Sequence, residues 1–315
     1  MSYAGPESDQ PRPRRSPPRR ALTVALAALV PGALLGWLAY ETLGGPGDGG
    51  PGRATGAASS SQASSSGGAA GDGKPGVPVS PSATASAPAG AGSLKGKVVV
   101  IDPGHNPTNF RYTAEINSTV DVGTHRKECD TTGTSTNSGY SEAAFTLDVA
   151  HRLRTLLQGQ GATVKLTQDA DRPYGPCVDE RARIGNAAHA DAVVSIHADG
   201  SGAGNRGFHV ILPGEVRAGA ADTRAIVGPS RELGTLIAGD FARVTGSAPS
   251  NYLGDGSGLV TREDLGGLNL STVPKVFIEC GNMRDSKDAA LLTSGAWRQK
   301  AAQGISEGIV SFLRG

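Results

Sequence analysis

The sequence predicts an α/β fold: a single three-layer domain with a mainly parallel open sheet over residues 95–315. Three observations predict it. Short apolar runs (Val98-Val99-Val100-Ile101, Ala192-Val193-Val194-Ser195-Ile196 and Val276-Phe277-Ile278) read as parallel strands buried on both faces. Segments with apolar residues at three- and four-residue spacing lie between them, the alternation that covers a parallel sheet with helices. The roughly 220 residues involved are enough for one α/β core.

Residues 97–101 form the first expected strand, closed by the turn Asp102-Pro103-Gly104. Residues 106–140 are rich in Thr, Ser, Asn and Gly and predict a long loop or hairpin insertion over a site. Ser141 caps a helix with Phe145, Val149, Leu153, Leu156 and Leu157 inward, stopped by Gly159 and Gly161. Residues 162–167 make a strand, 179–188 a short helix with Ile184 and Ala187 inward, and 191–196 the next strand. Residues 208–212 make a further strand, ended by Pro213-Gly214. Ser230 is the expected cap of a helix reaching about residue 244, with Leu233, Leu236, Ile237 and Phe241 on one face. A Gly-rich loop at 251–258, a last buried strand at 272–278 and a closing helix at 297–313, with Ile305, Ile309 and Phe312 inward, complete the order.

The amino terminus has a different composition. Residues 1–20 form a basic tail, with Arg12, Arg14, Arg15, Arg19 and Arg20 against Glu7 and Asp9. Residues 21–40 carry no charge. A helix of that length spans a bilayer, and the basic flank places the terminus in the cytoplasm. A transmembrane signal anchor is expected. A cleaved signal peptide is the alternative, although Leu38-Ala39-Tyr40-Glu41 is a poor cleavage site; a buried core helix is the blander one. Residues 41–94 are mostly Gly, Ser, Ala and Pro, too poor in apolar side chains to fold. They predict a disordered linker with a coil dimension on the order of 40 Å, or, second, a glycosylated stalk. Anchored or cleaved, the remainder is exported, and the expected location is extracytoplasmic. The formal net charge of +1 offers no basic stripe for nucleic acid. There are no repeats, and a monomer is expected.

The three cysteines are Cys129, Cys177 and Cys280. Cys129 and Cys177 fall in loops of an exported chain and are expected to pair. Cys280 follows a buried strand and reads as a small core residue. A Cys/His zinc site is the rival, without CxxC spacing to support it.

In open α/β sheets the ligand site lies beyond the carboxyl ends of the strands. His105 follows the first strand, His197 ends another, Glu279 directly follows Ile278, and Glu142 opens the first long helix. Each has an ordinary explanation: a structural histidine, a helix-start charge favoured by the dipole, or a buried carboxylate paired to Arg181 or Arg262. Together, two histidines and two glutamates suit a catalytic zinc with three protein ligands and a free carboxylate. The second nitrogen of His105 would be oriented by Asp102 or a backbone carbonyl. His209 is a further candidate for the site lining. His125, His151 and His189 lie in the insertion, on a solvent face and in a connection.

From residue 97 to residue 313 the chain resembles the zinc-dependent N-acetylmuramoyl-L-alanine amidases of bacterial cell walls. The matching pieces are Val99-Val100-Ile101-Asp102-Pro103-Gly104-His105, Ser141-Glu142, Arg181 with Asn186, Val194-Ser195-Ile196-His197-Ala198-Asp199 and Pro274-Lys275-Val276-Phe277-Ile278-Glu279. Small secreted actinobacterial amidases are the most similar type, sharing the cysteine pair and the stretch from Glu279 to Met283. The resemblance implies Zn2+ on His105, Glu142 and His197, with Glu279 as the catalytic carboxylate. It implies peptidoglycan as partner and cleavage of the amide joining N-acetylmuramic acid to L-alanine. Arg262 and Asn269, just before the last strand, are candidate substrate contacts. The family's common Gly-Phe is Gly281-Asn282 here, and the insertion at 106–140 is unlike an autoinhibitory helix. The alternatives are a catalytically silent peptidoglycan-binding domain, disfavoured by the complete set of four residues, and a zinc peptidase acting within the stem peptide.

Overall fold

The computed structural model describes residues 93–315. The expected basic tail at 1–20, the anchor at 21–40 and nearly all of the linker at 41–94 lie outside the described residues. Among the described residues no helix is long and apolar enough to cross a membrane.

A six-stranded sheet carries the domain, in the order β4-β1-β5-β10-β6-β9. These strands are Thr163–Leu166, Val98–Pro103, Ala192–Asp199, Lys275–Asn282, His209–Pro213 and Leu259–Arg262. β4, β1, β5 and β10 run parallel; β6 is antiparallel to β10, and β9 runs parallel to β6. From β1 the chain first goes outward to β4 and then returns to β5 on the other side. The gap between the β1 and β5 ends is therefore a switch point, where α/β folds place ligands.

Strand alternation assigns the two faces. Val99 and Ile101 of β1, Val194 and Ile196 of β5, Val210 and Leu212 of β6, and Val276 and Ile278 of β10 share one large core. Three long helices close over it. Glu142–Gly159 contributes Phe145, Val149, Leu153 and Leu157; Val227–Thr245 contributes Leu233, Ile237 and Phe241; Gly295–Arg314 contributes Ala301, Ile305 and Ile309. The last two helices cross closely: a methyl group at Gly308 would lie 2.5 Å from the Ile237 Cα. The other face is thin. Val100 and Val193 meet only Ala190, Ile184, Ala188 and Val273, around the short helix Val178–Ala187. The alternate residues Ser195, His197, His209, Phe277 and Glu279 project on this face. The thick side thus supplies the core, and the thin side leaves room for a cleft.

Two expectations are corrected. Ser230 does not cap its helix, which starts at Val227 after Ile226. Ser230 sits within the first turns, and its hydroxyl accepts the Lys275 N–H at 3.1 Å, tying the helix to β10. The last strand runs on to Asn282, past the apolar run ending at Ile278, because β10 pairs with β5 as far as Asp199. The insertion at 106–140 holds two short helical turns, Asn109–Arg111 and Thr113–Ile116, and a hairpin of β2 (Thr119–Asp121) and β3 (Arg126–Glu128). A second small ribbon pairs β7 (Arg217–Ala218) with β8 (Ala221–Asp222). These pieces are too short to show a period in the sequence.

A disulfide joins Cys129 to Cys177 across a sequence separation of 48. Beside it the Val178 N–H donates to the Cys129 carbonyl at 2.7 Å. The bond ties the insertion to the start of the Val178–Ala187 helix, and Cys280 is free and buried. A cross-link of that span is worth about 4 kcal/mol on a chain-entropy estimate. Replacing both cysteines by Ser is expected to lower unfolding free energy by a few kcal/mol in urea titrations. An unchanged midpoint, with or without reductant, would refute a stabilising role.

Candidate metal centre

His105 leaves β1 with φ of 62°, a left-handed conformation uncommon for a side chain with a Cβ. The surrounding structure enforces it. The His105 carbonyl accepts from Gln168 Nε2 at 3.0 Å and from Arg181 Nη2 at 3.1 Å. The ring is thereby turned toward Glu142 at the start of its helix and His197 near the end of β5. His105 Nε2 lies 3.1 Å and His197 Nδ1 2.9 Å from the same oxygen, Glu142 Oε1. One ligand atom from each of the three residues lies within 4.8 Å of the others.

Glycines make this approach possible. A Cβ on Gly104 would fall 2.3 Å from the His197 ring, and one on Gly133 would fall 2.7 Å from His105 and 2.8 Å from Glu142 Oε2. Next to Gly133, the Thr134 N–H donates to Glu142 Oε2 at 2.9 Å, while Oε1, which also accepts the Ala198 N–H at 3.2 Å, faces both histidines. Phe277 stacks on His197 with ring centroids 5.2 Å apart.

The donor set fits a cation. His105 Nδ1 donates to the Thr131 carbonyl at 3.1 Å, with Asp130 at 3.5 Å. In neutral imidazole the other nitrogen, Nε2, then carries a lone pair. That lone pair would face a carboxylate oxygen at hydrogen-bonding distance unless a positive charge, a second proton or a metal ion, stands between them. Burial alone would lower the pKa of His105, but Glu142 and Asp130 outweigh it and raise it to about 10. Two imidazole nitrogens and a carboxylate oxygen are zinc donors of the catalytic three-ligand type, and the carbonyl and carboxylate behind His105 are the kind of support that orients a metal-bound imidazole.

Glu279 is the fourth residue of the set. It pairs in register with His197 on one side and His209 on the other. Its Oε2 is buried without a hydrogen-bond partner. Burial, followed by the nearby charges of Glu142 and Asp199, pushes its pKa well above the ordinary carboxylate value, against a smaller opposing pull from His105 and Arg262. Neither Arg181 nor Arg262 forms an ion pair with it, so the structural pairing open from sequence does not occur.

Asp102 does not orient His105. It lies beneath the site as acceptor for Thr167 Oγ1 at 2.6 Å, Arg181 Nη1 at 2.8 Å, Ser195 Oγ at 2.9 Å and Lys275 Nζ at 3.1 Å. Arg181 also reaches Asp130 at 2.9 Å and the Pro103 carbonyl at 2.6 Å. The four buried charges alternate in sign from Lys275 to Asp130, which lies against His105. Burial would raise the carboxyl of Asp102, but Lys275 and Arg181 hold it far below its usual range. For Lys275 burial prevails over Asp102 and lowers its pKa.

The cleft over these residues has a volume of about 480 Å³, and its wall includes Lys127, Glu128, Asp199 and Arg262. Arg262 therefore faces the site. Asn269 does not: it is buried, and its Nδ2 donates to the Glu263 carbonyl at 2.8 Å and to Thr124 Oγ1 at 3.2 Å, fastening the rim. His209 is buried with Nδ1 unpartnered, and burial lowers its pKa. Asp130, Thr131, Gly133 and Thr134 were not anticipated. The last three share one sequence trace, the small-residue run Thr131-Thr132-Gly133-Thr134 inside the insertion, and Asp130 directly precedes it.

Comparison with known proteins identifies relatives in sequence and in fold. The amidase Rv3717 of Mycobacterium tuberculosis, an N-acetylmuramoyl-L-alanine amidase, is 42% identical over 230 residues, covering 72% of this chain and 91% of its own. The crystal structure of the amidase Ami1 from Mycobacterium smegmatis superposes with a TM-score of 0.64 at 39% identity, over 70% of this chain and 98% of that one. Ami1 from Mycobacterium abscessus gives 0.64 at 40% identity, over 70% and 100%. Residues 99–311 match the family model described as N-acetylmuramoyl-L-alanine amidase, and the chain belongs to that family.

Proposed function

We propose that this site hydrolyses the amide between the lactyl carboxyl of N-acetylmuramic acid and L-alanine in peptidoglycan, with zinc held by His105, Glu142 and His197. The observation that carries the metal is the convergence of the three donors, one ligand atom from each lying within 4.8 Å of the others, with Glu142 Oε1 against both imidazoles. Bound there, zinc supplies a Lewis acid that polarises the amide carbonyl and lowers the pKa of water. Glu279 beside it, with an unpartnered buried oxygen, takes the proton of the attacking water. The water oxygen bonds to the carbonyl carbon, the carbon–nitrogen bond breaks, and Glu279 delivers the proton to the leaving nitrogen. The products are a muramoyl carboxylic acid and a peptide with free amino-terminal L-alanine. Arg262 on the cleft wall offers a cation to a carboxylate of that peptide, while Asn269 holds the segment carrying it. Work on the cell wall requires export, which the uncharged segment at 21–40 and the linker at 41–94 would supply, as anchor and tether or as leader. The protein would act as a monomer.

Digestion of purified peptidoglycan tests the reaction: mass spectrometry is expected to find peptides beginning with free L-alanine and sugars without peptide. Cuts confined to the stem peptide would overturn it. His105→Ala is expected to drop zinc from one ion per chain to a small fraction, measured by elemental analysis on protein with unchanged circular dichroism. Full zinc content in that variant would remove His105 from the ligand set.

A further inference from the structure

Beside the metal cleft lies a second cavity of about 410 Å³, within the range of about 300–1,000 Å³ typical of small-molecule pockets. The two share Gly133 and Thr134, so a ridge one backbone thick divides them. This ridge is the backbone that fixes Glu142, through the Thr134 N–H. A molecule whose scissile bond sits at His105, Glu142 and His197 can extend one arm along the cleft and another over the ridge.

The two cavities differ in chemistry. The cleft wall is charged, with Lys127, Glu128, Asp199 and Arg262. The second cavity has no charged residue in its lining. Hydroxyl groups of Thr132, Thr134, Ser135 and Ser141 border it, together with Phe110. Phe110 is 60% exposed, one of two large apolar side chains exposed among the described residues. It rides on the turn Asn109–Arg111, with the Arg111 guanidinium 5.2 Å from its ring centroid. That turn is well held: Asn109 Nδ2 donates to the Thr131 carbonyl at 2.7 Å, and Asn109 Oδ1 accepts the Gly175 N–H at 2.9 Å. The aromatic ring is thus exposed on a rigid base beside hydroxyls, with the Arg111 guanidinium the charge near it.

A neutral hydroxylated ring suits this lining. Its axial C–H groups pack on an aromatic face, and its hydroxyls exchange hydrogen bonds with Thr and Ser; a peptide bearing carboxylates suits the charged cleft better. We propose that the second cavity is a glycan subsite, in which an N-acetylhexosamine ring of the glycan strand stacks on Phe110 while the stem peptide follows the charged cleft. This rests on the amidase reading above and assigns its two substrate arms to two cavities.

The test uses the zinc-loaded full chain with two substrates: a tetrasaccharide carrying a stem peptide, and a lactoyl-L-alanyl peptide without sugar. Phe110→Ala is expected to raise KM for the tetrasaccharide about tenfold, the size of one lost ring contact, with kcat unchanged and the sugar-free substrate unaffected. Phe110→Trp is expected to restore KM. An unchanged KM for the tetrasaccharide would overturn the subsite, and so would an equal rise for both substrates, which would mark Phe110 as part of the loop scaffold. Titration with peptide-free glycan strands separates this inference from the reaction. Should the wild type cleave neither substrate, the amidase reading fails, yet glycan binding lost in Phe110→Ala and kept in Phe110→Trp would still support the subsite. Equal glycan affinity in all three proteins would sink it.

Discussion

Glu279→Gln is expected to abolish amide cleavage while leaving fold and zinc content intact. The substitution keeps the shape of a side chain whose neighbours are fixed by sheet register, His197 on β5 and His209 on β6. It removes only the capacity to take and return a proton, worth about 10²–10⁴-fold in rate for general acid–base catalysis. Because Glu279 carries both the proton from water and the proton to nitrogen, the loss should fall at the upper end and in kcat, with KM little changed. Muropeptide turnover followed by chromatography, alongside elemental analysis, checks it. Turnover within tenfold of the wild type would transfer the proton-carrying role to another group. The structure adds an expectation for the metal-free protein. Burial, Glu142 and Asp199 all oppose the charge on Glu279, so the neutral amide should not lower its melting temperature.

How much of this was legible in the sequence depends on the range over which each residue acts. The strand ends were legible because Val and Ile runs mark buried parallel strands, and the side chains that follow them must emerge at one edge. His105, His197 and Glu279 come from that rule alone. The structure adds the face: along residues 275–279, Lys275, Phe277 and Glu279 lie opposite Val276 and Ile278, a split that the continuous apolar run does not show. Glu142 needed the family resemblance, since a carboxylate in a first helical turn has a sufficient local explanation. The partners of the buried charges were not legible. Asp102 could have met any cation, and its pairing with Arg181, 79 positions away, and with Lys275, 173 away, exists only once the sheet has formed. Asp130 and Gly133 belong to a polar insertion without period, held by a disulfide and single backbone bonds. Ser230 was misread as a cap because the same hydroxyl that satisfies a helix start can serve a neighbouring strand.

Arg181→Met is expected to cause the largest loss of stability of any single substitution beneath the site. The side chain is buried and bridges Asp102 to Asp130, while also holding the Pro103 and His105 carbonyls. Removing one partner from a buried ion network costs roughly 3–5 kcal/mol, because the remaining charge keeps its desolvation penalty without its compensation. Lys275 would still neutralise Asp102, so the uncompensated carboxylate is Asp130. Asp130→Asn in the same chain should therefore recover part of the loss, whereas Asp102→Asn should not, since it would leave Lys275 buried alone. The pH dependence follows from the direction of the Asp102 shift. A carboxyl depressed in the folded state contributes stability above its unfolded pKa of about 3.9, and that contribution fades as pH falls toward the lower folded value. Without Arg181 the folded value rises toward the unfolded one, so the variant should lose less of its remaining stability on acidification. Denaturation midpoints at neutral pH and near pH ~3 measure both effects. Equal losses at the two pH values would mean that packing of the guanidinium stem, and not its charge, is what the site requires.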